Sequence, residues 1–412
     1  MSVLPATRRK AVIAFIIVTA MLDIIGLGII IPVFPELVED FAGSNAEAGW
    51  LNGVFVALWA AMQFVASPII GSLSDQHGRR PVILVSCAGL ALDYVLMALA
   101  PNLWWLVLGR IVNGITTSSF TTCFAYMADI TPPEGRARAY GLIGAAFSGG
   151  FVIGPVIGGL LGEYSPRAPF WFAAGLSAIA FLYGLLILPE SLRPEARMKF
   201  SWARANPFGA MKLLGRHPEL SGLAVVNFLL YFAHHVFSAV FVLYAAYRYG
   251  WGPWEVGVLL ALVGALDMGV QGLLVGRAAK LFGDRPVMVF GLFGGAVGIA
   301  LMGLAPTGLM FVLAMIPNSL WGLAMPTLQA LMTNHVSESE QGQLQGATAS
   351  VASIAGIASP LFFGAVYAYS LQPDSLLNFS GTAFLMAALV LLGAALIGWV
   401  VARRAERAEQ PA

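Results

Sequence analysis

The chain has 412 residues, 58% of them hydrophobic and only 10% charged. A water-soluble domain carries about a quarter charged residues, so this composition excludes an ordinary soluble globular protein. A net charge of +1 offers no polyelectrolyte face to nucleic acid. Apolar runs long enough to cross a hydrocarbon core of about 30 Å recur along the whole length. In chain order the expected spans are 11–36, 47–72, 81–100, 104–129, 137–162, 169–188, 221–247, 252–275, 286–305, 308–334, 342–370 and 378–402. A first apolar run standing alone would suit a signal peptide, but as one of twelve it reads as a membrane anchor.

Charge placement gives the expected topology. Of the 22 Lys and Arg residues, 19 fall on one set of alternating connections: Arg8, Arg9, Lys10; Arg79, Arg80; Arg136, Arg138; Arg193, Arg197, Lys199, Arg204, Lys212, Arg216; Arg277, Lys280, Arg285; and Arg403, Arg404, Arg407. The opposite loops hold Arg167 and Arg248, and the first of them is acidic, with Glu36, Glu39, Asp40 and Glu47. Positive loops stay in the cytoplasm during insertion, so both termini are expected there. Cys87 and Cys123 fall inside spans, where small core residues are the plain reading.

The basic stretch between spans six and seven divides the chain into an N-terminal six-helix bundle (1–190), a cytoplasmic linker (191–220) and a C-terminal six-helix bundle (221–412). The halves repeat at an offset of 205 residues. Gly71, Gly78, Arg80 and Pro81 pair with Gly276, Gly283, Arg285 and Pro286, and Pro155 and Gly159 pair with Pro360 and Gly364. Parallel repeats of this kind belong to transporters whose substrate site lies between the halves near the midplane. A channel or receptor has no need of the duplication.

Four charged residues fall well inside spans: Asp23, Asp93, Arg110 and Asp267. A charge at the bilayer centre costs about 2.5–3.5 kcal/mol on insertion scales, so each is a candidate for function. Asp23 lies in Leu22-Asp23-Ile-Ile-Gly26-Leu-Gly28; the two glycines are expected to leave a gap through which water or substrate reaches the carboxylate. Arg110 is a permanent cation, suited to an intramembrane carboxylate whose charge changes; a fixed ion pair with Asp23 is the structural alternative. Asp93 either tunes the site or caps a packed polar cluster. Span five carries Gly154-Pro155-x-x-Gly158-Gly159, in which the glycines let backbones approach closely and the proline loosens the helix. The loop after span two reads Gly71-Ser-Leu-Ser-Asp75-Gln-His-Gly78-Arg79-Arg80-Pro81. Asp75 and Arg79 can pair across its turn, and Asp129 is a candidate third member of that cluster.

The loop resembles the cytoplasmic signature of the major facilitator superfamily, whose charged residues latch the halves when the transporter opens outward. Gly154, Pro155, Gly158 and Gly159 resemble the antiporter motif of its drug/proton exporters. The chain resembles the bacterial tetracycline/proton antiporters. The likeness runs through Leu22-Asp23 with Gly26, Gly28 and Pro32, Leu92-Asp93-Tyr94, Leu108-Gly109-Arg110, Gly114-Ile115-Thr116, Glu163-Tyr-Ser165-Pro166, Gly276-Arg277, Pro326-Thr-Leu-Gln329 and Glu340-Gln341-Gly342-Gln-Leu344-Gln345-Gly346. It implies the twelve-helix, all-α membrane fold of two pseudo-symmetric bundles, working as a monomer in the bacterial inner membrane. It also implies antibiotic resistance by efflux: exchange of a cationic drug–magnesium chelate for a proton, with Mg2+ as cargo and no cofactor bound. Asp23, Asp75, Arg79, Asp93, Gln63 and Gln271 match positions that matter in that family. Two departures stand out. Span nine, from Val289 to Ile299, lacks the acid these exporters carry, and Asp267 replaces their span-eight histidine.

The expected cycle is alternating access, with Asp23 or Asp267 taking a proton on the outside and releasing it inside as substrate binds. Gln63, Asn113, Asn227, His234, His235, Gln271, Asn318, Trp321 and Gln329 are expected to line the cavity, together with Asp23. His234 and His235 are adjacent, so on a regular helix at most one faces the centre. Among other classes, an enzyme would need a catalytic constellation, and the sequence has no paired metal motif, no Gly-x-Ser-x-Gly elbow and no phosphate-binding loop. The last absence also removes a pump with its own ATPase domain. An importer or facilitator of a metabolite with the same fold is the alternative.

Overall fold

The structure is a computed structural model that describes residues 6–116, 119–131, 136–200, 202, 206, 210–215, 218–337, 340–376 and 378–409. Arg204 and Arg216 of the expected linker lie outside the described residues. Among those described, every regular element is helical, as a chain in hydrocarbon requires, because each N–H and C=O must find its partner within the segment. The α-helices are α1 (Ala6–Ile30), α2 (Phe34–Ala42), α3 (Asn45–His77), α4 (Arg79–Leu99), α5 (Leu103–Thr116), α6 (Ser119–Ile130), α7 (Arg136–Gly162), α8 (Ala168–Ile187), α9 (Pro218–Val236), α10 (Val242–Tyr249), α11 (Pro253–Gly269), α12 (Val275–Phe282), α13 (Asp284–Leu304), α14 (Gly308–Ser319), α15 (Ala324–Thr333), α16 (Gln341–Ser370) and α17 (Thr382–Glu409). Eleven spans are long and apolar enough to cross a membrane, and α5 is a shorter apolar helix that, with α6, covers the expected span 104–129.

Several crossings are broken midway. A π-helical turn, Phe237–Phe241, joins α9 to α10, and another, Val270–Leu274, joins α11 to α12. A 3-10 turn, Leu320–Leu323, follows Pro317 between α14 and α15. Along α1 and α3, the ends carrying Ala6 and His77 are called the terminal side here, and the ends carrying Ile30 and Asn45 the far side.

The helices pack as two compact units. The first comprises Met1–Phe41, Leu58–Asn206 and Gly252–Ala261; the second comprises Ala42–Ala57, Pro207–Trp251 and Leu262–Ala412. They follow the two repeats except that the start of α3 and the start of α11 have changed places. In the first unit α1 packs on α7 and α8, and α4 packs on α5 and α8. Ile16, Ala20, Ile83, Cys87, Cys123, Tyr126 and Met127 form a core in which both cysteines are buried free thiols. In the second unit α13 packs on α17, α14 and α15, while α9 packs on α17 and α16. Large apolar side chains such as Val85, Ile179, Leu186, Leu301 and Leu389 remain exposed, as expected for surfaces solvated by lipid tails.

The repeat has a local physical cause at the loops. Gly78 and Gly283 stand at φ 107 and φ 83, immediately before α4 and α13. Side chains rarely adopt such a backbone, so both halves need glycine there.

Candidate transport site

On the terminal side of the first unit, Arg79 Nη1 pairs with Asp75 Oδ1 at 2.6 Å, and its Nε reaches Asp129 Oδ2 at 3.3 Å. Arg79 Nη1 also donates to the Ser74 hydroxyl at 3.1 Å, and Ser191 Oγ donates to Asp129 Oδ2 at 2.9 Å. Gly78 makes the turn, whereas Gly71 faces open space. The cluster has a member that sequence reasoning missed. Glu190 accepts from the backbone N–H groups of Arg79 (2.8 Å) and Arg80 (3.2 Å), and from those of Ser191 and Leu192 (both 3.0 Å). Its carboxylate thereby caps the start of α4, where unpaired amides and the helix dipole favour negative charge. A Cβ on Gly78 would run into that carboxylate. The available signal was an acid directly after Pro189 at the end of span six.

Deeper in the same unit, Asp23 is half-buried, and its Oδ1 is buried without a hydrogen-bond partner. The expected gap beside it is absent. A Cβ on Gly26 would lie 3.2 Å from the Tyr94 hydroxyl, and one on Gly28 would lie 2.9 Å from Pro155 Cδ. The glycines therefore admit α4 and α7 rather than water. Nor does Asp23 form an ion pair with Arg110, which is buried with its guanidinium carbon 4.1 Å above the Phe34 ring and with Nε and Nη2 unbonded. The carboxylate whose field reaches Arg110 is Asp93. Asp93 is fully buried on α4, and its Oδ2 accepts from Asn113 Nδ2 at 2.6 Å. Asn113 Oδ1 in turn accepts from Trp59 Nε1 at 3.0 Å. Trp59, a second residue missed from the sequence, lies one turn before the half-buried Gln63.

The Gly154-Pro155-x-x-Gly158-Gly159 segment of α7 has two faces. Gly154 and Gly158 lie against the backbone of α1, at Gly28 and Ile29. Gly159 lies against Pro253 and Trp254, and Gly257 of α11 sits on the Pro155 carbonyl with its added Cβ 3.2 Å from the Gly159 Cα. The second unit repeats this contact: Gly53 of α3 sits on the Pro360 carbonyl, its added Cβ 3.3 Å from the Gly364 Cα. The paired Pro-x-x-x-Gly segments are thus two seats, each holding a glycine of the segment exchanged from the other repeat.

In the second unit the breaks in two helices adjoin. Gly322, in the 3-10 turn, faces Val270 Cγ1 and Gln271 Cγ of a π turn, an added Cβ standing 3.3 and 3.7 Å away. Trp321 beside it packs edge-on to His234, with ring centroids 5.5 Å apart. His234 is exposed, and His235 bonds to Ser238, with Nδ1 and Oγ 3.3 Å apart. Asp267 is half-buried, one turn before Gln271, and no ion pair among the described residues holds it. Asn318 Oδ1 and Gln329 Nε2 are buried without partners, whereas Asn227 Nδ2 is spent on the Thr348 carbonyl at 3.5 Å. Irregular backbone at mid-membrane depth is tolerated where it is enclosed by protein or lines a cavity, and it recurs at functional sites. No group of three potential metal ligands occurs among the described residues.

Comparison with known proteins places this architecture. The model of the Major Facilitator Superfamily matches residues 16–275 and 223–412. The class C tetracycline resistance protein of Escherichia coli is 38% identical over 374 residues, covering 91% of this chain and 93% of that protein. The class G protein of Vibrio anguillarum is 37% identical over 360 residues, covering 87% and 91%. Among solved structures, a bacterial homologue of the human lysosomal transporter Spinster superposes with a TM-score of 0.80 at 17% identity, covering 99% of this chain and 100% of that one, a likeness of fold. With this fold, the doubled Pro-x-x-x-Gly seats and that identity along nine-tenths of its length, the chain belongs to the major facilitator superfamily and, within it, to the tetracycline resistance proteins.

Proposed function

We propose that the protein exports a small amphipathic or cationic compound of the tetracycline type in exchange for protons, by alternating access. The single observation that carries this reading is the pair of membrane-embedded carboxylates, Asp23 and Asp267, that no ion pair among the described residues neutralises. An intramembrane acid without a counter-charge is costly unless its protonation changes during function. Asp93, tied to Asn113 and sealed from solvent, holds the first unit's polar cluster and tunes it. Arg110 supplies fixed positive potential beside it. His234, Trp321, Gln271, Asn318 and Gln329 supply ring faces and unspent polar groups to the cargo. A magnesium ion travels as part of a chelated cargo, and the protein holds no cofactor. The termini are cytoplasmic, the membrane is the bacterial inner membrane and the working unit is a monomer. Asp75, Arg79, Asp129 and Glu190 act as the terminal-side latch.

A susceptibility panel in a sensitive host tests the reading. Expression raises the inhibitory concentration of tetracycline-type compounds, and Asp23→Asn abolishes the gain at unchanged membrane abundance. Unaltered susceptibility to every compound, with the protein present in the membrane, would refute export.

A further inference from the structure

Residues 45–57 of α3 belong to the compact unit otherwise built from the C-terminal repeat, and polar bonds hold them there. Asn52 is 2% exposed, and its Nδ2 donates to the carbonyls of Ser238 (3.1 Å) and Ala239 (2.7 Å). Both carbonyls lie in the π turn Phe237–Phe241. In a π turn the backbone bonds run to the donor five residues on, and the wider turn opens its carbonyls to a further donor. The Asn52 amide is that donor, satisfying its own buried N–H groups as it does so. Around this point Gly53 sits on the Pro360 carbonyl, Tyr367 Oη donates to Asn45 Oδ1 at 2.7 Å, and Asn45 Nδ2 donates to the Leu243 carbonyl at 3.4 Å. At the matching seat in the first unit the residue preceding Gly257 is Val256, which is buried and cannot donate from its side chain; the bond there is an exposed one, from the Trp254 N–H to Glu163 Oε1 at 3.3 Å.

We propose that Asn52 is a positioning residue for transport, the polar pin that holds the far-side end of α3 on the π turn of the α9–α10 crossing and must let go before the far side opens. The inference rests on the alternating-access reading above, in which a contact joining segments of the two repeats at one face of the membrane is made in one state and broken in the other. Its asymmetry has a consequence. The far-side closing contact is held at the Pro360 seat by buried side-chain hydrogen bonds and at the Pro155 seat by close packing with one exposed bond from the Trp254 N–H to Glu163 Oε1 at 3.3 Å, so loss of the Asn52 amide shifts the balance between states.

Cysteine labelling from the far side tests this without any substrate, so its outcome is independent of whether the cargo has been identified correctly. Ala48 is fully buried beside the pin; an Ala48→Cys probe is introduced where Cys87 and Cys123 have been replaced by serine, and treated with a membrane-impermeant maleimide. The parent is expected to label slowly. Asn52→Ala is expected to raise the rate about tenfold, equivalent to about 1.4 kcal/mol. Asn52→Asp faces two carbonyls with an acceptor-only carboxylate when ionised and regains a donor only when protonated. Its labelling is therefore fast at neutral outside pH and slows on acidification. The titratable groups bonded around this position are His235, through Ser238, on the α9 crossing and Tyr367, through Asn45, on α16, and the exposed Glu47 lies earlier on α3 itself. All three remain in the parent and in Asn52→Ala, so the pH response is scored against both. Parent-like labelling of Asn52→Ala, fast labelling of the parent, or a pH-independent Asn52→Asp would each overturn the proposal and leave Asn52 as a packing residue.

Discussion

Asn113 is the residue on which the first unit's buried polar cluster turns. Its amide donates to Asp93 and accepts from Trp59, so both ends of one small side chain are used. Asn113→Ala strands a buried carboxylate oxygen and an indole N–H, and each unsatisfied group costs about 1–3 kcal/mol. Thermal unfolding in detergent should show a lowered midpoint, and an unchanged one would mean that water replaces the amide. Gly158 makes a second prediction at this scale. An added Cβ would collide with the Ile29 carbonyl, whereas one on Gly149 meets nothing within 4 Å. Gly158→Ala should destabilise by about 1–3 kcal/mol through overpacking. Gly149→Ala, in the same helix, should be neutral or stabilising by about 0.5–1 kcal/mol. Equal effects in the two variants would contradict the two-faced reading of α7. Sequence reading found the glycine pattern here but misjudged Gly26 and Gly28. A missing side chain leaves room, and only the fold decides whether a ring, a backbone or water fills it.

At the scale of elements, the Asp75–Arg79 pair was legible because both residues share one turn of chain. Glu190 was not, because it meets Arg79 only after α4 and α8 have packed, across a separation of 111 residues. Its bonds to the two leading amides of α4 predict that Glu190→Ala weakens the start of that helix by about 1 kcal/mol, a typical N-cap loss. Hydrogen exchange should show faster exchange of the Arg79 and Arg80 amides, with the interior of α4 unaffected. Protection unchanged at those two amides would mean that the carboxylate is not the cap. The broken crossings were equally hidden. Apolar periodicity gives the length of a span, but a π turn inserts one residue without altering composition, and what stabilises it is a donor from elsewhere, here Asn52. The expectation that only one of His234 and His235 faces inward suits the regular helix in which both lie. His234 meets Trp321, and His235 turns to Ser238.

For the whole molecule, the offset of 205 residues proved readable because the same two local demands recur: a glycine at positive φ before α4 and α13, and a Pro-x-x-x-Gly seat on α7 and α16. The exchange of residues 42–57 and 252–261 between compact units was not readable, since nothing in a single span records which neighbour it packs on. That exchange gives the seats their consequence, because the glycines they hold belong to the opposite repeat. The central claim is that Asp23 and Asp267 carry protons in exchange for cargo, and inverted membrane vesicles test it most directly. With an inside-acid gradient imposed, the wild type should accumulate a tetracycline-type compound and release protons from the lumen as it does so, while Asp23→Asn and Asp267→Asn, present at equal abundance, should do neither. Gradient-driven accumulation that is undiminished in both variants would contradict the account.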